Sequence, residues 1–166
     1  MISEAPFFFS IAALSVTLAG FSGLLAALRR GDQLRTVDVF HLRGIAEVGL
    51  TNALIALITI PAATIAGDLQ TAARLGAGVV FAYVIFQIPM FALRQRRMAV
   101  RVRVAQAVGA AAIDTAAIAV AVFTIATGAV GIYELLMVLL LARPMWDFVQ
   151  FLRDMAGPAS GDKHSA

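Results

Sequence analysis

The chain contains no cysteine, which excludes disulfides, thiolate metal sites and cysteine nucleophiles. Charge is scarce too: charged residues make up 14% of the sequence, against roughly 25% in an ordinary soluble domain. A water-soluble fold of 166 residues needs polar surface to cover it, and this chain has too little. Its two histidines, His41 and His164, supply no HExxH pair, haem-ligand pair or metal cluster. His41 near Asp38 is a lone neighbour pair rather than a catalytic set. Gly20-Phe21-Ser22-Gly23 lies inside an apolar run and lacks the lysine and strand-turn-helix setting of a phosphate loop. These absences lean away from an enzyme, and no metal and no cofactor are expected.

What fills the chain instead is hydrocarbon. Hydrophobic residues account for 61% and the mean hydropathy is +0.89. Surface that polar side chains cannot cover must face lipid. The expected fold is an all-α, polytopic transmembrane bundle of five spans, in a single domain over residues 1–156. The spans are about 6–28, 45–66, 75–93, 105–127 and 131–153. Each of these runs covers most or all of a hydrocarbon core about 30 Å thick at about 1.5 Å per residue. The tail 157–166 is small and polar, and is expected to be disordered.

Prolines mark expected irregularities. Pro61 should bend or end the second span, and Pro89 frees the carbonyl of Ile85, placing a kink near Gln87. The fifth run is interrupted by Arg143-Pro144. It reads either as one kinked span or as a short segment ending at Ala142, followed by an interfacial helix. That helix would carry Met145, Phe148, Val149, Leu152 and Met155 as an apolar stripe. Trp146, at the expected inner headgroup level, favours the shorter segment, but the kinked span is preferred.

The basic residues set the orientation. Nine of the thirteen lie in two stretches between runs: Arg29, Arg30, Arg35 and Arg43, then Arg94, Arg96, Arg97, Arg101 and Arg103. Positive loops belong in the cytoplasm. The N-terminus is then outside and the C-terminus inside a bacterial-type inner membrane. The first run is too long, and its flank too acidic at Glu4, for a cleavable signal peptide. A net charge of +3 invites a nucleic-acid reading, but these clusters form no continuous basic face with aromatics, so no nucleic acid is expected.

The polar residues inside spans are few. Glu47, Asn52, Gln87, Asp114 and Arg143 are the intramembrane candidates. Arg143 is expected to pair with Asp114 or Glu47, because guanidinium satisfies a carboxylate bidentately. The pair is either structural or part of a cation or proton path that uses the second acid. Ser15, Ala19, Gly23 and Ala27 recur every four residues on the first span. Small residues let backbones approach, so this ridge serves a contact within one chain or between copies. The segment 15–24, followed by an arginine-rich loop, resembles the first span of other small bacterial membrane proteins, a likeness that implies no activity.

Two functions follow as expectations. The first is a homo-oligomeric channel or transport pathway for an ion or small solute. The second is a non-catalytic accessory or scaffold subunit that docks a protein partner or anionic lipid through its basic loops.

Overall fold

The computed structural model describes residues 4–28, 36–97 and 104–156. Within them the chain is a bundle of five helices: α1 Ala5–Leu28, α2 Thr36–Ala66, α3 Leu69–Arg97, α4 Val104–Thr127 and α5 Val130–Ala156. All five are long and apolar enough to cross a membrane, so this is a multi-pass helical bundle. The shortest have 24 residues, about 36 Å of helix against a hydrocarbon core of about 30 Å. The tail at 157–166 and five of the clustered arginines (Arg29, Arg30, Arg35, Arg101 and Arg103) lie outside the described residues.

The three inner prolines do not end their helices. α2 runs through Pro61 to Ala66, α3 through Pro89 to Arg97, and α5 through Pro144 to Ala156. One missing N–H costs a single rung of the helical ladder, and in a bundle the neighbours hold the segment straight enough to continue. The fifth run is thus one helix, and no separate interfacial helix follows Ala142. α3 also begins earlier than its apolar run. Residues 69–74 form its first turns rather than a loop, and Arg74 sits on that helix.

Two tight turns join α2 to α3 and α4 to α5. Gly67 (φ 82°) and Gly128 (φ 69°) take the left-handed conformation that ends a helix. Asp68 then caps α3, its Oδ1 accepting the Thr71 N–H at 2.6 Å. That hydrogen bond from Thr71 holds the Asp68 carboxyl below the usual carboxylate range. At the other turn, Gly128 N–H donates to Thr124 O at 2.7 Å. The freed Thr127 carbonyl accepts Gln70 Nε2 at 3.2 Å and Arg74 Nη2 at 3.4 Å. A cation at a helix C-terminus is favoured by the helix dipole, so Arg74 ties the α4–α5 turn to α3. This is called the turn end below; the opposite, arginine-bearing end is the basic end.

The core is built from small residues and a few large ones. Ala53, Ala56, Ala73, Ala77, Ala117 and Ala121 bring the helices close, around Phe8, Tyr133, Leu136 and Met137. The Tyr133 hydroxyl shares a hydrogen bond with Thr59 at 2.8 Å. Gly76 faces this hydroxyl, and a Cβ there would lie 2.3 Å from it. Large apolar side chains point outward instead: Ile65, Leu75, Phe86 and Val108 are all more than 60% exposed. On α5, Met145, Val149 and Leu152 are exposed, while Asp147, Gln150 and Phe151 are buried. A helix that turns its polar groups inward and its methyls outward belongs in lipid.

Candidate functional site

The two-residue turn 128–129 fixes the register of α4 against α5. Asp114 is thirteen residues before Thr127, and Arg143 is thirteen residues after Val130. Both therefore stand about 20 Å from the turn end. They meet: Arg143 Nε lies 3.3 Å from Asp114 Oδ1. One helical turn further along α5, Asp147 Oδ1 lies 2.6 Å from Arg143 Nη1. Nη1 nonetheless has no hydrogen-bond partner, because the carboxylate sits off the N–H axis. The contact is one of charge more than of a formed hydrogen bond. The Phe91 ring lies 5.9 Å from the guanidinium carbon, within cation–π range.

Glu47 is held by other residues. Its Oε1 accepts Arg43 Nε at 2.6 Å, and its Oε2 accepts Arg94 Nη1 at 2.7 Å. Arg94 sits seven residues nearer the basic end than Gln87 and reaches back toward Glu47. Gln87 donates through Nε2 to the Tyr83 hydroxyl one turn away.

These groups surround one cavity of about 370 Å³ between α2, α3, α4 and α5. Glu47, Arg94, Asp114, Arg143 and Asp147 supply its charge, and Tyr83, Gln87, Gln106 and Thr115 its neutral polar groups. The remaining wall is apolar, with Val84, Ile88, Phe91 and Leu140 among its residues. The chamber occupies the basic half of the bundle. Tyr133, Thr59 and Gly76 pack together nearer the turn end and do not line it.

Of the residues singled out in the sequence, Glu47, Gln87, Asp114 and Arg143 line this cavity, and Asn52 does not. Asn52 is buried between helices, donating Nδ2 to Ser15 Oγ at 3.0 Å. Its Oδ1 has no partner among the described residues. Ser15 and Ala19 are buried against α2, where a Cβ at Gly49 would lie 2.9 Å from the Ser15 carbonyl. Gly23 and Ala27 are exposed. A four-residue step advances about 40° around a helix, so the ridge leaves the seam and Ser22 takes its place there. His41 is buried at the basic end, with Gln106 Nε2 lying 3.3 Å from each ring nitrogen. The Trp146 ring covers Gly109 and its N–H donates to Gln106 O at 3.3 Å, which seals α4 to α5 there.

Two charged site residues, Asp147 and Arg94, escape a reading of the sequence, as do the neutral Tyr83 and Gln106. Asp147 sits at i+4 from Arg143, a recognisable ion-pair spacing, but falls within an apolar stripe. Arg94 reads as one of a basic cluster. Among the described residues, no three His, Asp or Glu side chains are placed to hold a metal ion.

Comparison with family models, with curated proteins and with solved structures returned no match. The chemistry of the cavity therefore carries the functional argument.

Proposed function

We propose that this protein is a membrane transport protein whose chamber between α2 and α5 binds the transported ion or small solute. The observation that supports it is a charged cavity of about 370 Å³ inside an otherwise apolar bundle. Ionisable groups at such depth are costly, at about 2.5–3.5 kcal/mol each on insertion scales. Three acids and two arginines around one chamber are more than a structural ion pair needs. Transport requires the chamber to reach both faces in turn, so the Tyr133–Thr59 contact between it and the turn end is expected to move in a transport cycle. The basic end is assigned to the cytoplasmic side of a bacterial-type inner membrane by its arginines, with the N-terminus outside.

Assembly into a homo-oligomer belongs to the same proposal. Gly20, Gly23 and Ala27 give α1 an outward face without bulk, and a second copy could approach it closely. A strictly monomeric particle in nanodiscs removes that part alone.

The test uses proteoliposomes loaded with a pH-sensitive dye, with gradients of protons or of monovalent cations, inorganic and organic, imposed across the membrane with and without a potassium diffusion potential. Expected is proton or cation entry above that of empty vesicles, falling at least about tenfold in Asp114→Asn, as loss of a buried charged partner implies. Flux equal to that of empty vesicles, across proton and monovalent-cation gradients, would remove the transport reading.

One observation favours a second reading. Arg96, Arg97 and Arg153 are exposed at the basic end, where they could hold a partner protein or anionic lipid. Crosslinking from this end to a second protein in native membranes, with no flux, would favour an accessory subunit.

A further inference from the structure

We propose that the chamber takes a lipophilic monovalent organic cation, its charge seated at Asp114 in exchange for a proton. This rests on the chamber being a solute site, and it names the class of solute.

The charge count gives the sign. Three carboxylates and two guanidiniums line the chamber. Glu47 pairs with Arg94 at 2.7 Å, while its second partner, Arg43 at 2.6 Å, is exposed to solvent outside the chamber and counts for little there. Among the described residues, the deeper group has two carboxylates, Asp114 and Asp147, for the single guanidinium of Arg143. With all three ionised, one negative charge is left over at membrane depth. A surplus charge there must be neutralised by a bound proton or a bound cation. Among the two acids, Asp147 holds the closer contact and is the more buried, its side chain 11% exposed. Asp114 has the longer contact, and its side chain is 29% exposed, toward the cavity. The unmatched charge is therefore presented by Asp114.

An anion has no comparable seat. Arg94 is engaged by Glu47, and Arg143 lies between two carboxylates and the Phe91 ring. An anion would have to displace a carboxylate and would add to the surplus.

The walls give the rest of the ligand. Val84, Ile88, Phe91, Ile118 and Leu140 line the space around Asp114. A pocket of this size, mostly apolar with a few placed polar groups, suits a compact ligand with an apolar body. Phe91 adds an aromatic ring to that wall. A hydrated metal cation would leave these surfaces unused.

Proton competition at Asp114 takes place among defined neighbours. Arg143 and Asp147 face it from α5, and Glu47 on α2 with Tyr83 and Arg94 on α3 line the same chamber. Occupation by a cation or by a proton restores the same charge balance, so the two exclude each other.

The experiment measures equilibrium binding of tritiated tetraphenylphosphonium to the full chain in nanodiscs, which needs no flux. Expected is saturable binding that weakens on acidification and is not displaced by triphenylphosphine oxide, a neutral molecule with the same aryl groups. Asp114→Asn should weaken it at least about tenfold, and Asp114→Glu should restore most of it. Glu134→Gln, the same charge change outside the chamber, should leave the affinity unchanged. Should Asp114→Asn fail to fold, the acid dependence and the competition by the neutral oxide on the unaltered chain decide.

Binding that is indifferent to pH, displaced by triphenylphosphine oxide, or equal in Asp114→Asn and Glu134→Gln would overturn the proposal. So would absent binding to a monodisperse, folded chain. Phosphonium binding without flux would leave this inference and remove the transport reading. Flux of another ion without phosphonium binding would do the reverse.

Discussion

Arg143→Met is expected to be the most damaging single substitution in the protein. It removes the one guanidinium that Asp114 and Asp147 share and leaves two carboxylates facing each other in a low-dielectric interior. Breaking a buried ion pair from one side costs about 3–5 kcal/mol. Methionine fills much of the arginine stem's volume, so the loss reports charge more than packing. The same physics gives a rescue. Combining Arg143→Met with Asp114→Asn and Asp147→Asn removes all three charges, and should recover most of the stability, since neutral replacements of buried ion networks are often tolerated. Unfolding in mixed micelles by increasing dodecyl sulfate measures both. A single variant as stable as the parent, or a triple variant no better than the single one, would contradict this charge balance.

The second large effect is expected at Gly49. α2 crosses α1 closely enough that a Cβ at this position would lie 2.9 Å from the backbone carbonyl of Ser15. Backbone cannot rotate aside as a side chain can. Gly49→Val should force the helices apart, at about 1–3 kcal/mol for overpacking. It should also strain the Asn52–Ser15 hydrogen bond, of a kind worth about 0.6 kcal/mol on average inside membranes. Gly78 provides the contrast, with nothing within 4 Å of a Cβ placed there. Gly78→Ala should be neutral or stabilising by up to about 1 kcal/mol, as expected for helix propensity. The same micelle titration compares them, and equal behaviour of the two variants would argue against the α1–α2 seam.

The five spans were readable because lipid allows so few solutions: a backbone that cannot bond to water must be helical along its whole crossing. Helix ends were less readable. Gln70, Thr71 and Arg74 dilute the apolar run, so hydropathy starts α3 at 75, although Asp68 is a plain capping residue for Leu69. Arg143-Pro144 looks like a stop because proline breaks helices in water, whereas here it only interrupts one rung.

The charged site was half readable. Asp114 and Arg143 stand out because ions are rare within spans, and the short turn at 128–129 puts them level. Asp147 and Arg94 did not stand out: Asp147 is set among the apolar residues of the fifth run, and Arg94 lies just past the third run at the start of a basic cluster. Arg43 is an i,i+4 partner of Glu47 on the same helix, but its Arg94 partner depends on which helices pack together, which hydropathy does not encode. The small-residue ridge shows the limit of fixed spacing. Four residues exceed one turn of 3.6 residues, and by Gly23 the ridge has rotated off the α2 seam.

The decisive measurement is of where water reaches. With no native cysteine, single cysteines can be placed freely. Leu54 and Val122 are 57% and 50% exposed on the bundle surface, yet face lipid if the five helices cross a bilayer. Leu54→Cys and Val122→Cys in native membranes should resist a charged maleimide and react with a lipophilic one, while Asp68→Cys and Ala129→Cys at the turns react with both. Rapid labelling of the Leu54→Cys and Val122→Cys variants by the charged reagent, matching the turns, would mean that these apolar faces meet water and that the helices do not lie in a membrane.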